Sequence, residues 1–195
     1  MKKVLNVGGN SKAIALPPVF EGWEHVLLDI DPAGQPDVVC DARELSSLPA
    51  ATYDCVYCSH NLEHYYRHDV KRVLAGFRHV LKPDGFTFVR VPDIGEVMQL
   101  AVERDLDIDD VLYHTEVGNM DITVQDVIYG FGAEIEHSGN DFFAHKTGFT
   151  TKSLTKALQS AGFPHVYLGT VALEIHGFGM FQPPDAATRA MLNLG

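Results

Sequence analysis

The sequence predicts an α/β protein with a doubly wound, mostly parallel sheet, and three observations lead to that fold class. A short apolar run at positions 4–7 leads directly into Gly8 and Gly9, as in a buried strand that ends in a tight turn. Further apolar runs alternate with stretches of helical periodicity. Aspartates follow the second and third runs, at the edge where open α/β sheets bind ligands.

The first half of the chain contains five predicted strands, at 4–7, 25–31, 37–41, 53–58 and 86–91. Only a brief helix fits between the first two strands. Asp69 is predicted to cap a long helix whose apolar residues recur at helical spacing, namely Val70, Val73, Leu74, Phe77, Val80 and Leu81. The sequence KPDG at 82–85 is expected to end this helix and to turn the chain into the fifth strand.

In the second half, the alternation of predicted strands and helices is interrupted at about 94–147. We interpret this region as a substrate-side insertion. It starts with a predicted helix at 95–104 and is too long for a simple connection in a compact domain. A later helix is expected to begin at Thr150 or Thr151 and to end at Gly162. The runs at 166–171 and 174–181 are joined by a very short connection, which predicts an antiparallel hairpin. A last helix is expected after residue 183, and residues 1–195 are expected to form a single domain.

Composition and charge argue against several classes of protein. An apolar fraction of 46% and a charged fraction of 21% over 195 residues are ordinary for a globular protein. No apolar run approaches the roughly 20 residues of a membrane span and no signal peptide is recognised, so we expect a cytoplasmic protein. The net charge is −11, and residues 93–141 hold thirteen acidic residues against one basic residue, Arg104. Nucleic acid is therefore not expected as a partner.

The three cysteines indicate neither a disulfide framework nor a metal site. Cys55 and Cys58 lie three positions apart in one predicted strand, so their side chains are expected to point to opposite faces of the sheet. We therefore expect both thiols to be part of the core.

Acidic residues gather at the expected ligand edge. Asp29 falls at the end of the second predicted strand, and Asp41 falls at the end of the third. A carboxylate in the first of these positions suits a ribose diol, because the two hydroxyl groups donate two hydrogen bonds to one carboxylate.

Five motifs, taken in order, resemble those of class I S-adenosylmethionine-dependent methyltransferases. They are VLNVGG at 4–9, LDIDP at 28–32, DAREL at 41–45, YDCVYCSHNLEH at 53–64 and VLKPDG at 80–85. More narrowly, the segment HKTGFT at 145–150 after an insertion is similar to that of small bacterial methyltransferases associated with surface-polysaccharide synthesis. The resemblance covers about residues 4–170. It implies a Rossmann-like, seven-stranded sheet with an antiparallel C-terminal strand.

The resemblance implies S-adenosylmethionine as cofactor and a set of residues that contact it, namely Asn6, Gly8, Gly9, Asp29, Ile30, Asp41, Ala42, Ser59 and His60. Asp29 is expected to hold the ribose hydroxyls with Ile30 against the adenine, and Asp41 is expected to meet the adenine amino group beside Ala42. Ser59 and His60 should lie next to the methionine end.

Two positions depart from the pattern of the family. Asn6 replaces the usual acid, and Asn10 or Lys12 stands in place of a third glycine. An amide still forms hydrogen bonds, but it offers no carboxylate to the ammonium group of the cofactor.

Three functions remain open at this point. The first is methyl transfer to a small-molecule or sugar acceptor at oxygen, and the second is a non-catalytic S-adenosylmethionine-binding regulatory or interaction module. The third, a nucleotide-linked oxidoreductase, is disfavoured because the loop lacks G-x-G-x-x-G. A homodimer is left open as well.

His60, His64 and His145 are the candidate catalytic residues, since an oxygen acceptor benefits from a base and histidine titrates near neutrality. His60, His64 and His68 are spaced four apart, as in zinc sites on a helix. Here the three fall on a strand end, a turn and a helix start, so no metal is expected.

Overall fold

The computed structural model describes residues 1–115 and 120–195, and the strands in that part of the chain form two sheets. In chain order they are β1 (Lys3–Val7), β2 (Glu24–Asp29), β3 (Val38–Val39), β4 (Tyr53–Ser59), β5 (Leu81–Pro92), β6 (Val111–His114), β7 (Asp121–Thr123), β8 (His165–Val171) and β9 (Glu174–Met180).

The larger sheet has seven strands in the order β3-β2-β1-β4-β5-β9-β8. The pairs from β3 to β5 are all parallel, whereas β9 runs antiparallel to both β5 and β8. The predicted doubly wound, Rossmann-like sheet of seven strands is therefore confirmed, and the predicted antiparallel hairpin is the β8–β9 pair. The strand order reverses direction between β1 and β4, so their carboxyl ends form the crevice in which such sheets bind ligands.

Six α-helices are described, and most of them lie where the sequence predicts a helix. They are α1 (Arg67–Val80), α2 (Ile94–Glu103), α3 (Val124–Tyr129), α4 (Gly132–Ser138), α5 (Thr151–Ser160) and α6 (Ala186–Leu192). Thr150 caps α5 in a capping box with Ser153, and Gly162 follows the end of that helix at φ +95°. The short link after β1 contains only a 3₁₀ turn, Pro18–Phe20.

The core lies on both faces of the large sheet. On one face the apolar residues of α1 and α5 pack against the strands, and Phe77, Leu154 and Leu158 are fully buried there. On the other face a layer of aromatic residues that includes Phe20 packs with Leu192 of α6. The region 94–147 has a smaller cluster of its own, centred on Val97 and Leu112, beside the two-stranded sheet β6–β7. No helix of the described residues is long and apolar enough to cross a bilayer.

Two local predictions are wrong. Asp69 does not cap α1, because the helix begins two residues earlier and the carbonyl of Tyr66 accepts from the amides of Asp69 and Val70. The KPDG segment does not separate helix from strand: α1 ends at Val80 and β5 begins at Leu81. The segment forms an irregularity inside β5, since Tyr53 pairs with Leu81 whereas Cys55 pairs with Phe86.

Cys55 and Cys58 lie on the same strand but in different layers of the core. The first packs in the aromatic layer and the second in the layer beneath α1. The expected divergence of the two thiols is therefore confirmed, and both cysteines are free.

Candidate active site

A cavity of about 1030 Å³ opens at the carboxyl ends of β1, β2 and β4, and we call it the first cavity. Its lining includes most of the residues that the sequence singles out, namely Asn6, Gly8, Gly9, Asp29, Ile30, Ser59, His60, His64 and His145. This volume is at the upper end of the range of small-molecule sites. The sheet therefore brings together residues from three strand ends and from the region 94–147.

The glycine turn after β1 leaves room for two asparagine side chains. Gly8 has φ +71°, and a Cβ at this position would lie 2.1 Å from Nδ2 of Asn61. A Cβ on Gly9 would lie 2.1 Å from Nδ2 of Asn6. Both positions thus require glycine even without a ligand, because any side chain would collide with an asparagine beneath the loop.

Asn6 is buried, and its side-chain amide contacts a residue of β2. Its Nδ2 lies 3.3 Å from Nε2 of His25, and the residue is only 4% exposed. Burial and the charge of Lys12 lower the pKa of His25, which favours the neutral ring and an acceptor at Nε2. The amide at position 6 therefore serves the packing of the loop.

Asp29 holds the loops on either side of it. One oxygen accepts a hydrogen bond from the amide of Asn10 at 2.9 Å, and the other accepts one from the amide of Asp31 at 3.0 Å. Each carboxylate oxygen has a second lone pair. The group can therefore still accept from two hydroxyls of a ligand in the cavity, on whose wall Ile30 supplies a half-exposed apolar side chain.

Asp41 and Ala42 are not on the wall of the first cavity. Asp41 accepts from the backbone amide of Arg43 and from its guanidinium, at distances of 2.6–3.1 Å. Burial would raise the pKa of Asp41, but the hydrogen bonds from Arg43 outweigh it and the pKa is lowered. Ala42 is 2% exposed and packs in the core.

His60 follows β4 in the left-handed region, at φ +47°. Its Nε2 lies 2.9 Å from Oε1 of Glu174, and its Nδ1 lies 3.5 Å from Oε1 of Glu63. Burial disfavours the charged ring and would lower the pKa of His60. The two carboxylates have the larger effect and raise this pKa to about 9. Near neutral pH both ring nitrogens therefore carry a proton, which makes His60 a donor and not a base.

Glu174, at the start of β9, joins three basic side chains. It bonds to the guanidinium of Arg90 and to His60, and Nε2 of His176 lies 3.4 Å away. Burial would raise the pKa of Glu174, yet these partners keep it well below its usual range. The carboxylate is thus charged and fixes the side chains at the ends of β4 and β5.

A second cavity of about 1100 Å³ lies between the region 94–147 and the turn of the β8–β9 hairpin. Its wall combines the apolar side chains of Leu100 and Leu112 with Arg104 and Tyr113. Three residues belong to the walls of both cavities, namely His60, Phe131 and His145. The two spaces therefore meet at these three side chains, which we call the junction.

His64 and His145 lie side by side at the junction, with ring centroids 5.0 Å apart. Nδ1 of His145 lies 2.9 Å from the carbonyl oxygen of Val127, and Nδ1 of His64 lies 3.1 Å from that of Ala144. Burial lowers the pKa of His145. His68, by contrast, is 81% exposed on α1, so it lies apart from His60 and His64 as expected. A different group comes together instead, namely Glu63, His64 and His145.

Several residues of the site are not predicted from the sequence. Arg90 and Glu174 were not singled out, although a charged residue inside the apolar run at 86–91 and another at the head of a strand were visible signals. Asn61 and Glu63 fall inside a motif that was recognised, but nothing local distinguishes them. Phe131 reaches the junction through the tertiary fold alone.

One family model matches part of the chain. Residues 15–89 match the family model described as a methyltransferase domain. No curated protein matches the chain in sequence.

Several solved structures share the fold. A SAM-dependent methyltransferase from Archaeoglobus fulgidus is 20% identical, covers 86% of this chain and superposes with a TM-score of 0.51; the chain spans 63% of its length. The methyltransferase in a Haloferax volcanii complex with the Trm112 activator is 13% identical, with coverages of 94% and 83% of the two chains and a TM-score of 0.58.

A third structure, the 1,6-didemethyltoxoflavin-N1-methyltransferase of Burkholderia thailandensis, holds its substrate and S-adenosylhomocysteine. It is 16% identical, with coverages of 91% and 71% and a TM-score of 0.51. At such identities the likeness is one of fold. The chain thus shares the sheet architecture of these structures, and residues 15–89 match a methyltransferase domain model.

Proposed function

We propose that this protein transfers the methyl group of S-adenosylmethionine to an oxygen atom of a small-molecule acceptor. One observation carries the proposal: the first cavity, lined by the cofactor motifs, meets the second cavity at His60, Phe131 and His145. Direct transfer between two bound molecules needs adjoining sites with a common wall.

The first cavity is the proposed cofactor site. S-adenosylmethionine supplies an activated methyl group on its sulfonium. Asp29 is oriented by two loop amides, and Gly8 and Gly9 expose backbone at the cavity wall. Ser59 and His60 lie on the same wall at the end of β4. The contacts of Asp41 and Ala42 with the adenine stay predictions, since neither side chain lines this cavity.

The second cavity is the proposed acceptor site. Its mixed wall suits a neutral molecule that carries hydroxyl groups, such as a sugar. Of its acidic residues, Glu174 is paired with Arg90 and Asp126 accepts from the amide of Gly132, and the wall also holds Glu96 and the cationic Arg104. The acidity of the region 94–147 therefore does not by itself favour a cationic acceptor. The association with surface polysaccharides, the cytoplasmic location and self-association remain predictions.

The histidines at the junction differ in what they can do for an acceptor hydroxyl. A carbonyl oxygen only accepts hydrogen bonds, so Nδ1 of His145 carries the ring proton and Nε2 keeps its lone pair. His145 is therefore the proposed acceptor of the hydroxyl proton. His60 lies across the junction as a fixed positive charge whose ring nitrogens face Glu174 and Glu63, and the ring of His64 lies 5.0 Å from that of His145.

A second candidate function is a binding module without turnover. The observation that favours it is Asn6, whose amide is engaged by His25 and supplies no charge to the cofactor. Such a module would bind S-adenosylmethionine and S-adenosylhomocysteine but release no methylated product.

The test combines binding and turnover. Calorimetry with S-adenosylmethionine, S-adenosylhomocysteine and NAD, followed by detection of S-adenosylhomocysteine release over a panel of hydroxylated small molecules, separates the candidates. We expect both sulfur compounds to bind, NAD not to bind, and one hydroxylated class to give turnover. His145→Gln should reduce turnover at least about tenfold, or roughly 1.4 kcal/mol of barrier, with cofactor affinity nearly unchanged.

The exposed His68→Gln is the matched control and should leave both quantities unchanged. Absence of cofactor binding would overturn the proposal. Tight binding without turnover on any acceptor would favour the module, and binding of NAD alone would favour an oxidoreductase.

A further inference from the structure

We propose that Glu63, His64 and His145 form a binding site for a divalent transition-metal ion. Each residue offers one ligand atom, and these atoms all lie within 4.8 Å of one another. The three come from the segment after β4 and from the end of the region 94–147, so the fold and not the local sequence brings them together. This cluster differs from the series His60, His64 and His68, which are spaced four apart in the sequence.

Glu63 is the first reason for the proposal. The residue is 1% exposed, and neither carboxylate oxygen has a hydrogen-bond donor among the described residues. The nearest cationic nitrogen is Nδ1 of His60, at 3.5 Å. A buried carboxylate without hydrogen bonds is strongly unfavourable unless a cation compensates it. His60 bonds at 2.9 Å to Glu174 and approaches Glu63 only to 3.5 Å, so the site has a negative ligand that no donor reaches at hydrogen-bonding geometry.

His145 is the second reason. Its Nδ1 donates to the carbonyl of Val127 at 2.9 Å, which fixes the tautomer and leaves the lone pair on Nε2. Histidines that bind metals usually donate their other ring N–H to a carboxylate or a backbone carbonyl in this way. The ring is therefore oriented by its support and keeps one nitrogen available for a metal.

His64 is the third reason. Both of its ring nitrogens lie 3.1 Å from carbonyl oxygens, one from Ala144 and the other from His60. A neutral imidazole has a single N–H, so one of these contacts places two lone pairs against each other. The nitrogen that does not donate keeps a lone pair that a metal ion can use.

The backbone around the cluster is fixed by further hydrogen bonds. The amides of Lys146 and Thr147 donate to the carbonyl oxygen of Glu63 at 2.8 and 3.1 Å. These bonds join the segment after β4 to the segment that follows His145. The ligands therefore belong to connected parts of the chain, as a preformed metal site requires.

The donor set indicates the class of metal. Two imidazoles and one carboxylate suit zinc and neighbouring transition metals, and three protein ligands leave positions for water or substrate. Because His64 and His145 line the first cavity, an open position faces the space beside the junction. If the proposed function holds, the ion takes the lone pair of His145 and itself polarises the acceptor oxygen. Metal binding does not depend on that role.

The test uses zinc as the probe and needs neither cofactor nor acceptor. Protein treated with a chelator and dialysed is titrated with zinc by calorimetry, and bound zinc is counted by elemental analysis. We expect one zinc per chain with Kd below about 1 μM, and we expect Glu63→Gln and His145→Gln each to weaken binding at least about tenfold. His114→Gln removes an exposed histidine that pairs with Asp121 at 2.8 Å, and should not change it.

Thermal unfolding distinguishes loss of the site from loss of the fold. In metal-free protein, Glu63→Gln should be at least as stable as the parent, because it removes a buried charge that has no hydrogen bond. At the same zinc concentration, zinc should raise the Tm of the parent by more than that of the variant. The proposal is overturned by the absence of stoichiometric zinc, by equal affinity in Glu63→Gln, or by loss of binding in His114→Gln.

Discussion

His60 and Glu174 are 114 positions apart in the sequence, yet Nε2 of the first lies 2.9 Å from Oε1 of the second. The carboxylate also bonds to Arg90, so it connects the end of β4, the end of β5 and the start of β9. This contact ties the junction between the two cavities to the antiparallel hairpin of the sheet.

Glu174→Gln should lower the free energy of unfolding by about 2 kcal/mol, because charge-assisted hydrogen bonds are lost and half-buried Arg90 loses its counter-charge. Denaturant titration at neutral pH measures the change. Glu44→Gln is the control, since Glu44 and Arg72 are 53% and 56% exposed and should contribute less than about 0.5 kcal/mol. Equal effects would mean that the Glu174 network contributes no more than a surface pair.

Asp29→Ala should weaken binding of S-adenosylmethionine by about 1.5–3 kcal/mol, the scale of hydrogen bonds to a charged group. Calorimetry on a variant with native circular dichroism measures it. Asp31→Ala is the comparison, because Asp31 lies in the same loop but accepts from the amide of Ala33. An equal loss of affinity in both variants would show that the loop, and not the Asp29 carboxylate, determines binding.

Gly9→Ala should destabilise the fold by about 1–3 kcal/mol, because the new methyl group would collide with the buried amide of Asn6. The double variant Asn6→Ala/Gly9→Ala should recover part of the loss, since the colliding group is then absent. Gly169→Ala, where a Cβ meets nothing within 4 Å, is the control. A double variant less stable than the sum of its parts would contradict this explanation.

Asp54→Asn should lower stability at pH 7 by about 1.5 kcal/mol, and the deficit should shrink as pH falls. Asp54 accepts from the amide of Lys3 and from Nζ of Lys82, both at 2.8 Å. Burial would raise the pKa of Asp54, but these bonds outweigh it and the pKa is lowered.

A lowered carboxyl pKa contributes stability above the unfolded value, near 3.9, that is lost as pH falls through the folded value. Unfolding curves of parent and variant at several pH values between about 2 and 7 test this. Glu24→Gln, which breaks an exposed pair with Lys3, should give a small and flat difference. A deficit for Asp54→Asn that stays constant to the lowest pH would contradict the assignment.

Native protein should react with a maleimide at one thiol only. Cys55 and Cys58 are fully buried, and burial raises the pKa of both thiols, whereas Cys40 is partly exposed. Mass spectrometry should find one label on the folded chain and three after unfolding. Rapid labelling of either strand cysteine in folded protein would contradict the described packing of β4.

The sequence predicted those features that depend on neighbouring residues. The apolar run before Gly8 and the acid after the second run are local patterns, and the structure places both at the wall of the first cavity. Asp41 is predicted to meet the adenine, and this contact stays a prediction, but Arg43 two positions later competes for its carboxylate. That competition is visible in the sequence and could have been weighed.

The junction could not be predicted in the same way. Glu174 and Phe131 reach it through strand order and the packing of the region 94–147, which no local pattern encodes. Glu63 lies in a recognised motif, yet its burial depends on backbone contacts with residues more than eighty positions later. Long-range placement of this kind is decided by the whole fold and not by propensity.

The position of β9 between β5 and β8 has a consequence for synthesis on the ribosome. Phe86 pairs with Met180, so the outer edge of β5 has no partner until residues 174–180 have been translated. An open strand edge of apolar residues invites pairing with other chains, and such late, distant contacts slow folding. Until then this edge is open to pairing with other chains, and the contact between His60 and Glu174 forms only when β9 enters the sheet.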